Sequence, residues 1–376
     1  MAADTRPPLR FGIGELAGSL GDFGTILPLS LALAATGALA IGPVLLFLGI
    51  WFIITGYYYH RYPVPVEPMK AIAVIAVAAG MTGGEIAAAG LILGVIFFLF
   101  GFTNFLEYIE HYIPVSVVRG IQLGLALILI RTATGYVLPD PGFFLLGVSI
   151  IIAGFLVAYR FRIPDLSAIA VIIVAVAAGI FIYGLPPLTT LSFSLIEIPS
   201  VSDMIIALQV LVVPQALLTI TNAIFATTLL SRDLFSADIG SKKLSRTIGL
   251  MNLTSIPFGG MPMCHGAGGM AGQYRFGART GGANIYAGII LIGIALLFAS
   301  TAWIGIISPG FYAALLIFVA LELGRHGLKT DSFLVTFLMG ILSLVISITV
   351  AFFAGLALFY LMKWMKKRTK NDQVGE

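Results

Sequence analysis

Apolar residues along this chain gather into long runs separated by turn residues and charges. Runs near residues 15–35, 42–59, 69–83, 86–105, 115–131, 142–159 and 164–183 predict seven membrane segments in the first half. A polar, proline-containing loop from Gly184 to Asp203 follows. Runs near 204–230, 247–258, 264–274, 283–306 and 309–323 then bring the number to twelve. The stretch 331–364 remains. As one helix of about 34 residues it would reach roughly 50 Å, too long for a hydrocarbon core of about 30 Å. A short hairpin near Ala351 to Gly355 is therefore expected to divide it, making fourteen segments.

Composition narrows the class. Of 376 residues 59% are hydrophobic and 10% charged, against about a quarter charged in soluble domains, which excludes a water-soluble fold. The length suits one membrane domain over 1–376, with halves at 1–183 and 203–364 and a basic tail at 365–376. The first run holds Asp22 and Pro28, follows Glu15 and lacks a small-residue cleavage site after it. It is expected to be the first span and not a removed leader. A single cysteine, Cys264, excludes an intrachain disulfide framework.

A net charge of +4 can signal nucleic acid, but here the basic residues occupy loops between apolar runs. With both termini cytoplasmic and fourteen segments, all but two of the 21 Lys and Arg, namely Lys70 and Arg131, fall at the inner side. Merging the last two segments would put the basic tail outside, so the divided reading fits the positive-inside rule better. Seven segments per half is an odd number, so the second half must insert upside down, as an inverted repeat. The third segment of each half is short and begins in chain unsuited to a helix: Pro63 to Pro68 before Met69, and Phe258 to Gly269 before Met270.

Extended chain at membrane depth survives only where protein buries it or where it lines a wet cavity. Where it turns into helix, up to four amides are unpaired and the dipole places about half a positive charge. Two such ends meeting near the midplane would form an anion site, and Gly266, Gly268 and Gly269 would let a ligand approach the backbone. Lys70 would add a full charge, or serve as partner to Glu67 or Asp22. Intramembrane ionisable groups are functional hypotheses by default. Asp22 is the clearest, lying in Gly18-Ser19-Leu20-Gly21-Asp22-Phe23-Gly24-Thr25, where it either couples transport or acts as a capping or buried structural carboxylate. Gln215, Thr219 and Asn222 share a face of the eighth segment, as cavity lining or as glue between helices. His265 has no second histidine or cysteine at ligand spacing, so no metal site is expected. Arg275 and Arg279 are expected to snorkel to the inner interface. No nucleophile elbow, Walker loop or zincin motif occurs, which disfavours a membrane enzyme.

Several strings carry a family resemblance: Gly21-Asp22-Phe23-Gly24-Thr25, Pro65-Val66-Glu67-Pro68-Met69-Lys70, Val118-Arg119-Gly120-Ile121-Gln122-Leu123-Gly124 and Ser231-Arg232-Asp233-Leu234-Phe235. A longer one runs from Met261 through Pro262-Met263-Cys264-His265-Gly266-Ala267-Gly268-Gly269 and continues at Gln273-Tyr274-Arg275-Phe276-Gly277-Ala278-Arg279. Together they resemble the plant-type molybdate transporter family, related to the SulP sulfate permeases, over nearly the whole membrane domain. The resemblance implies an all-α fold of about fourteen segments in a seven-plus-seven inverted repeat, as in sulfate and uracil permeases. It also implies a core domain that binds substrate between two half-helices and slides against a gate domain. The C-terminal regulatory domain of many sulfate permeases is not expected, since about a dozen residues follow Lys363.

The expected function is secondary active transport of a tetrahedral oxyanion, molybdate first and sulfate second, by an elevator mechanism with proton symport. An anion channel and a nucleobase permease are the alternatives. A nucleobase would want carboxylates from the eighth segment and the second half-helix, where this chain has none. Substrate contacts are expected from Met69, Lys70, Ala71, Cys264, His265, Gly266, Ala267, Gly268, Gly269, Thr25, Gln215 and Asn222, and proton coupling from Asp22 and Glu67. Molybdate or sulfate, protons, the lipid bilayer and a second copy in a homodimer are the expected partners, with no cofactor, metal or nucleic acid. The expected location is the cell membrane.

Overall fold

Helices dominate because lipid offers no hydrogen-bond partner, so each spanning segment must satisfy its own backbone. The computed structural model describes residues 9–163, 165–189, 191, 198–297, 300, 302 and 305–374. In the first half run α1 (Ile13–Ser19), α2 (Phe23–Ala35), α3 (Ile41–Tyr58), strand β1 (Glu67–Pro68), α4 (Lys70–Ala79), α5 (Gly83–Phe100), α6 (Phe105–Tyr112), α7 (Val115–Val137), α8 (Pro141–Phe161) and α9 (Ser167–Tyr183). The second half opens with a long helix over Val201–Phe235. Its α-helical parts are α10 (Val201–Ala207), α11 (Val213–Leu218) and α12 (Thr227–Phe235). There follow α13 (Ser241–Ser255), β2 (Met263–Cys264), α14 (Ala267–Arg275), α15 (Gly282–Leu297), α16 (Pro309–Gly327), α17 (Phe333–Val345) and α18 (Ile348–Val374). The predicted eleventh run beyond Leu297 and the end of the tail lie partly outside the described residues.

The predicted segments each have a helical counterpart, with three differences. The last division falls at Ile346–Ser347 and not at Ala351 to Gly355. Ser347 starts the new helix, its Oγ accepting from Val350 N–H at 3.1 Å and its carbonyl from Ala351 N–H at 3.0 Å. Gly355 instead lies inside α18, where a side chain would strike Met339. Secondly, α6 was not expected; it is a short two-faced helix between the fourth and fifth segments. Thirdly, the eighth segment starts earlier, at Val201, where Ser200 and Asp203 form a reciprocal capping box.

Two helix groups arise, each drawn from both halves of the chain. In one, α3 packs on α15, α5 on α13 and α1 on α15; in the other, α7 packs on α16, α17 and α18, and α8 on α9 and α16. The third segments meet at the centre, where β1 and β2 pair antiparallel with Glu67 opposite Cys264 and Pro68 opposite Met263. Each strand leads into its half-helix, α4 or α14. The first span breaks at Leu20–Asp22 beside α14, and a Cβ on Gly21 would run into the Gly272 carbonyl. The close approach of these two backbones is therefore written into the glycines.

Candidate functional site

The first half-helix begins at Lys70 after Met69 in extended conformation. Its opening amides need acceptors, and the chain supplies one from the eighth segment. Ala71 and Ile72 donate to Gln215 Oε1 at 2.9 and 3.3 Å, while Gln215 Nε2 donates to Thr219 Oγ1 at 3.0 Å. Thr219 opens a π-helical turn over Thr219–Ala226 that also carries Asn222, and such widened turns recur at functional sites. Asn222 is buried, with its Oδ1 unbonded. The predicted polar stripe is thus a neutral cap on α4 with one polar atom to spare.

The second half-helix begins at Ala267 and receives a charged acceptor. Gly269 N–H donates to Glu67 Oε1 at 2.7 Å, and Glu67 Oε2 pairs with Lys70 Nζ. Glu67 is wholly buried, whereas a fifth of the Lys70 side chain is exposed. A Cβ on Gly266 would collide with the Glu67 carboxylate, and one on Gly269 with both Glu67 and Asp22. These two glycines make a cradle that a carboxylate fills. Gly268 faces elsewhere: a Cβ there would meet only Leu129 Cδ1, at 4.0 Å. Among the described residues, the Ala267 and Gly268 amides have no protein acceptor.

Asp22 occupies the position before α2, yet makes no cap bond there. It is 1% exposed with neither carboxylate oxygen hydrogen-bonded, which removes the capping alternative. Thr25 follows three residues on, at the rim of burial. Met69 and Cys264 are buried at the two strand ends.

His265 departs from the ligand-facing expectation. Its Nδ1 and Nε2 each lie 2.7 Å from a protein oxygen, Pro65 O and Thr247 Oγ1, and its ring meets Tyr59 edge-on. Fully buried and engaged on both sides, it ties the two extended segments together. Arg275 also does more than snorkel, bonding Asp165 at 3.0 Å and facing the Phe155 and Phe318 rings. Arg279 lies over Tyr274, 3.9 Å from the ring centre. Among the described residues no cluster of three or more His, Cys, Asp or Glu is arranged to hold a metal ion.

Other polar residues at this depth escaped sequence reasoning because single amides in apolar helices carry no pattern. Asn252 brackets Met263, accepting from its N–H at 2.9 Å and donating to its carbonyl at 2.7 Å. Asn284 donates to the Val64 carbonyl and to Thr55 Oγ1. Both satisfy the extended backbone that lipid would leave unpaired. Gln273, on α14, is buried with both side-chain atoms unbonded. Arg119 on α7 forks onto Asp233 on α12, and His326 on α16 meets the same carboxylate at 3.1 Å. The strings around Arg119 and Asp233 carried the resemblance but gave no hint of this junction, which ties α12 to α7 and α16.

The chain has a polytopic all-α, SulP-like membrane fold in which the two broken helices meet at the centre. Solved structures share this fold: the chain resembles the transmembrane domain of the cyanobacterial bicarbonate transporter BicA (TM-score 0.61, 17% identity, 93% of this chain and 98% of that one). It likewise resembles SLC26A9 (TM-score 0.63, 15% identity, 94% of this chain and 65% of that one). The family model described as "Molybdate transporter of MFS superfamily" matches residues 14–129 and 207–323. Molybdate transporter 2 of Arabidopsis thaliana is 32% identical over 93% of this chain and 87% of its own length. Molybdate transporter 1 of the same plant is 30% identical over 95% and 89%. The chain belongs to the molybdate transporter family, a family of transporters and not of enzymes.

Proposed function

We propose that this protein is a proton-coupled carrier for a tetrahedral oxyanion, molybdate above sulfate, whose seat lies between the N-termini of α4 and α14. One observation carries the reading: at α14 a helix N-terminus holds an anionic group in a glycine cradle, beside unpaired amides at Ala267 and Gly268 and the Lys70 ammonium. Amide groups and a positive dipole end suit an oxyanion. The names of the two plant relatives favour molybdate. Sulfate, a tetrahedral dianion too, would use the same donors. Met69, Ala71, Cys264, Gly266 and Thr25 frame the seat.

The chain sits in the cell membrane with both termini cytoplasmic, the orientation that keeps its basic loops inside. The two halves are inverted repeats, and the helix group containing α3, α5, α13 and α15 moves against the group containing α7 and α16 as an elevator. Bringing a dianion into a negative interior costs about 4.6 kcal/mol per 100 mV, so uptake needs a driving ion. Two protons would cancel that cost, and Asp22 and Glu67 are the groups beside the seat that can carry them. Competitive uptake into proteoliposomes with molybdate, sulfate and uracil, under an imposed pH gradient, tests the reading. Saturable molybdate uptake that rises as external pH falls is expected. Preference for uracil, or uptake indifferent to pH between about 5 and 8, would overturn it.

A further inference from the structure

The Glu67 carboxylate stands where a substrate anion should. Three observations make it more than a structural contact. It accepts from Gly269 N–H at the start of α14, the group an incoming oxyanion would use. It occupies space that exists only because Gly266 and Gly269 have no side chains. It holds the Lys70 ammonium. The equivalent place on α4 is filled by a neutral amide, Gln215, so a charged occupant is not a geometric necessity of such a helix end.

We infer that Glu67 is an internal stand-in for the substrate, competing with the oxyanion for the α14 N-terminus and for Lys70, and that binding requires its carboxylate to leave. This rests on the oxyanion reading above and adds a mechanism to it. The Glu67 backbone is pinned by its pairing with Cys264, so only the side chain moves. Its departure opens a carboxylate-sized niche with the Gly269 and Gly268 amides and Lys70 exposed. Protonation of Glu67 weakens its hold on both donors and removes its repulsion of a dianion, so proton and substrate arrive together. The charged and titratable groups around Glu67 are Lys70 on its own half-helix, Asp22 from the break between α1 and α2, and Cys264 and His265 from the opposing strand and its exit. His265 is held by Pro65 and Thr247, which leaves Asp22 as the other carboxyl group at the niche, the one to which the proposed function gives the second proton.

The test is equilibrium binding of molybdate and of sulfate to purified full-length protein in detergent, at pH about 7.5 and about 5.5, for wild type and Glu67→Gln. Losing a charged competitor is expected to tighten binding at the higher pH by about tenfold, the size of one charge-assisted hydrogen bond. Wild-type binding should tighten on acidification, and the variant's affinity should change less than that of wild type, with Asp22 still present. Equal affinities for wild type and Glu67→Gln at the higher pH, or weaker binding by the variant, would overturn the competition and leave the oxyanion site standing. Wild type that binds neither anion at either pH would overturn both. If Glu67→Gln is not recovered folded, Glu67→Asp replaces it. The shorter carboxylate keeps the charge but reaches Gly269 poorly, so binding tighter than wild type is again expected, and unchanged or weaker binding is fatal to the idea.

Discussion

The two half-helices begin alike and are capped differently. At α4 the cap is a neutral amide: Gln215 takes the Ala71 and Ile72 N–H groups and is itself steadied by Thr219. At α14 it is a carboxylate, Glu67, with an ion pair to Lys70 and an unbonded Asp22 alongside. A neutral cap satisfies amides without changing the charge of the site, and nothing gains by displacing it. A carboxylate cap puts negative charge where, on the proposed reading, an anion is to bind. That reading has the α4 cap stay in place and the α14 cap exchange with substrate.

The largest effect should come from filling the cradle. Gly269→Val drives a side chain into two carboxylates at once, and no monodisperse protein is expected on size-exclusion chromatography. Gly268→Val should separate folding from function, because its Cβ points into open space with Leu129 as the nearest contact. That variant is expected to purify like wild type and to bind molybdate more weakly, because the added side chain crowds the open approach to the Ala267 and Gly268 amides. A stable Gly268→Val protein with normal affinity would move the seat elsewhere.

Gln215→Glu would make both caps charged. Dianion binding should weaken by about tenfold, read in the same titration, with a neutral pair of caps, Gln215 with Glu67→Gln, as the opposite extreme. Gln215→Ala leaves two buried amides without an acceptor and is expected to cost about 1–2 kcal/mol in stability, seen as a lower melting temperature. The smallest effect belongs to Thr219→Val, which keeps the shape and leaves one Nε2–H of Gln215 without its acceptor. A loss near 1 kcal/mol and little change in binding are expected. A Thr219→Val protein that loses binding as Gly268→Val does would show that the α4 cap belongs to the seat after all.

Sequence by itself determined the segments, the two broken helices and the glycine run, because burying a run of apolar residues in lipid and breaking a helix with Pro and Gly are local events. The residues around Asp22, Glu67, Gln215 and Gly266 to Gly269 marked the candidate site for the same reason: polar and flexible residues stand out in apolar chain. Where one local signal competed with another, it misled. Gly355 read as a turn but packs within α18 against Met339, while Ser347 caps the helix a turn earlier. Only the tertiary structure decided what each polar group does. His265 and Glu67 are neighbours of the same strand pair, yet one is sealed between Pro65 and Thr247 and the other reaches 202 residues along the chain to Gly269. That division follows from the antiparallel register of Glu67 opposite Cys264. A shift of one residue would turn each side chain to the other face, and no local pattern encodes which partner the opposite half of the chain will bring.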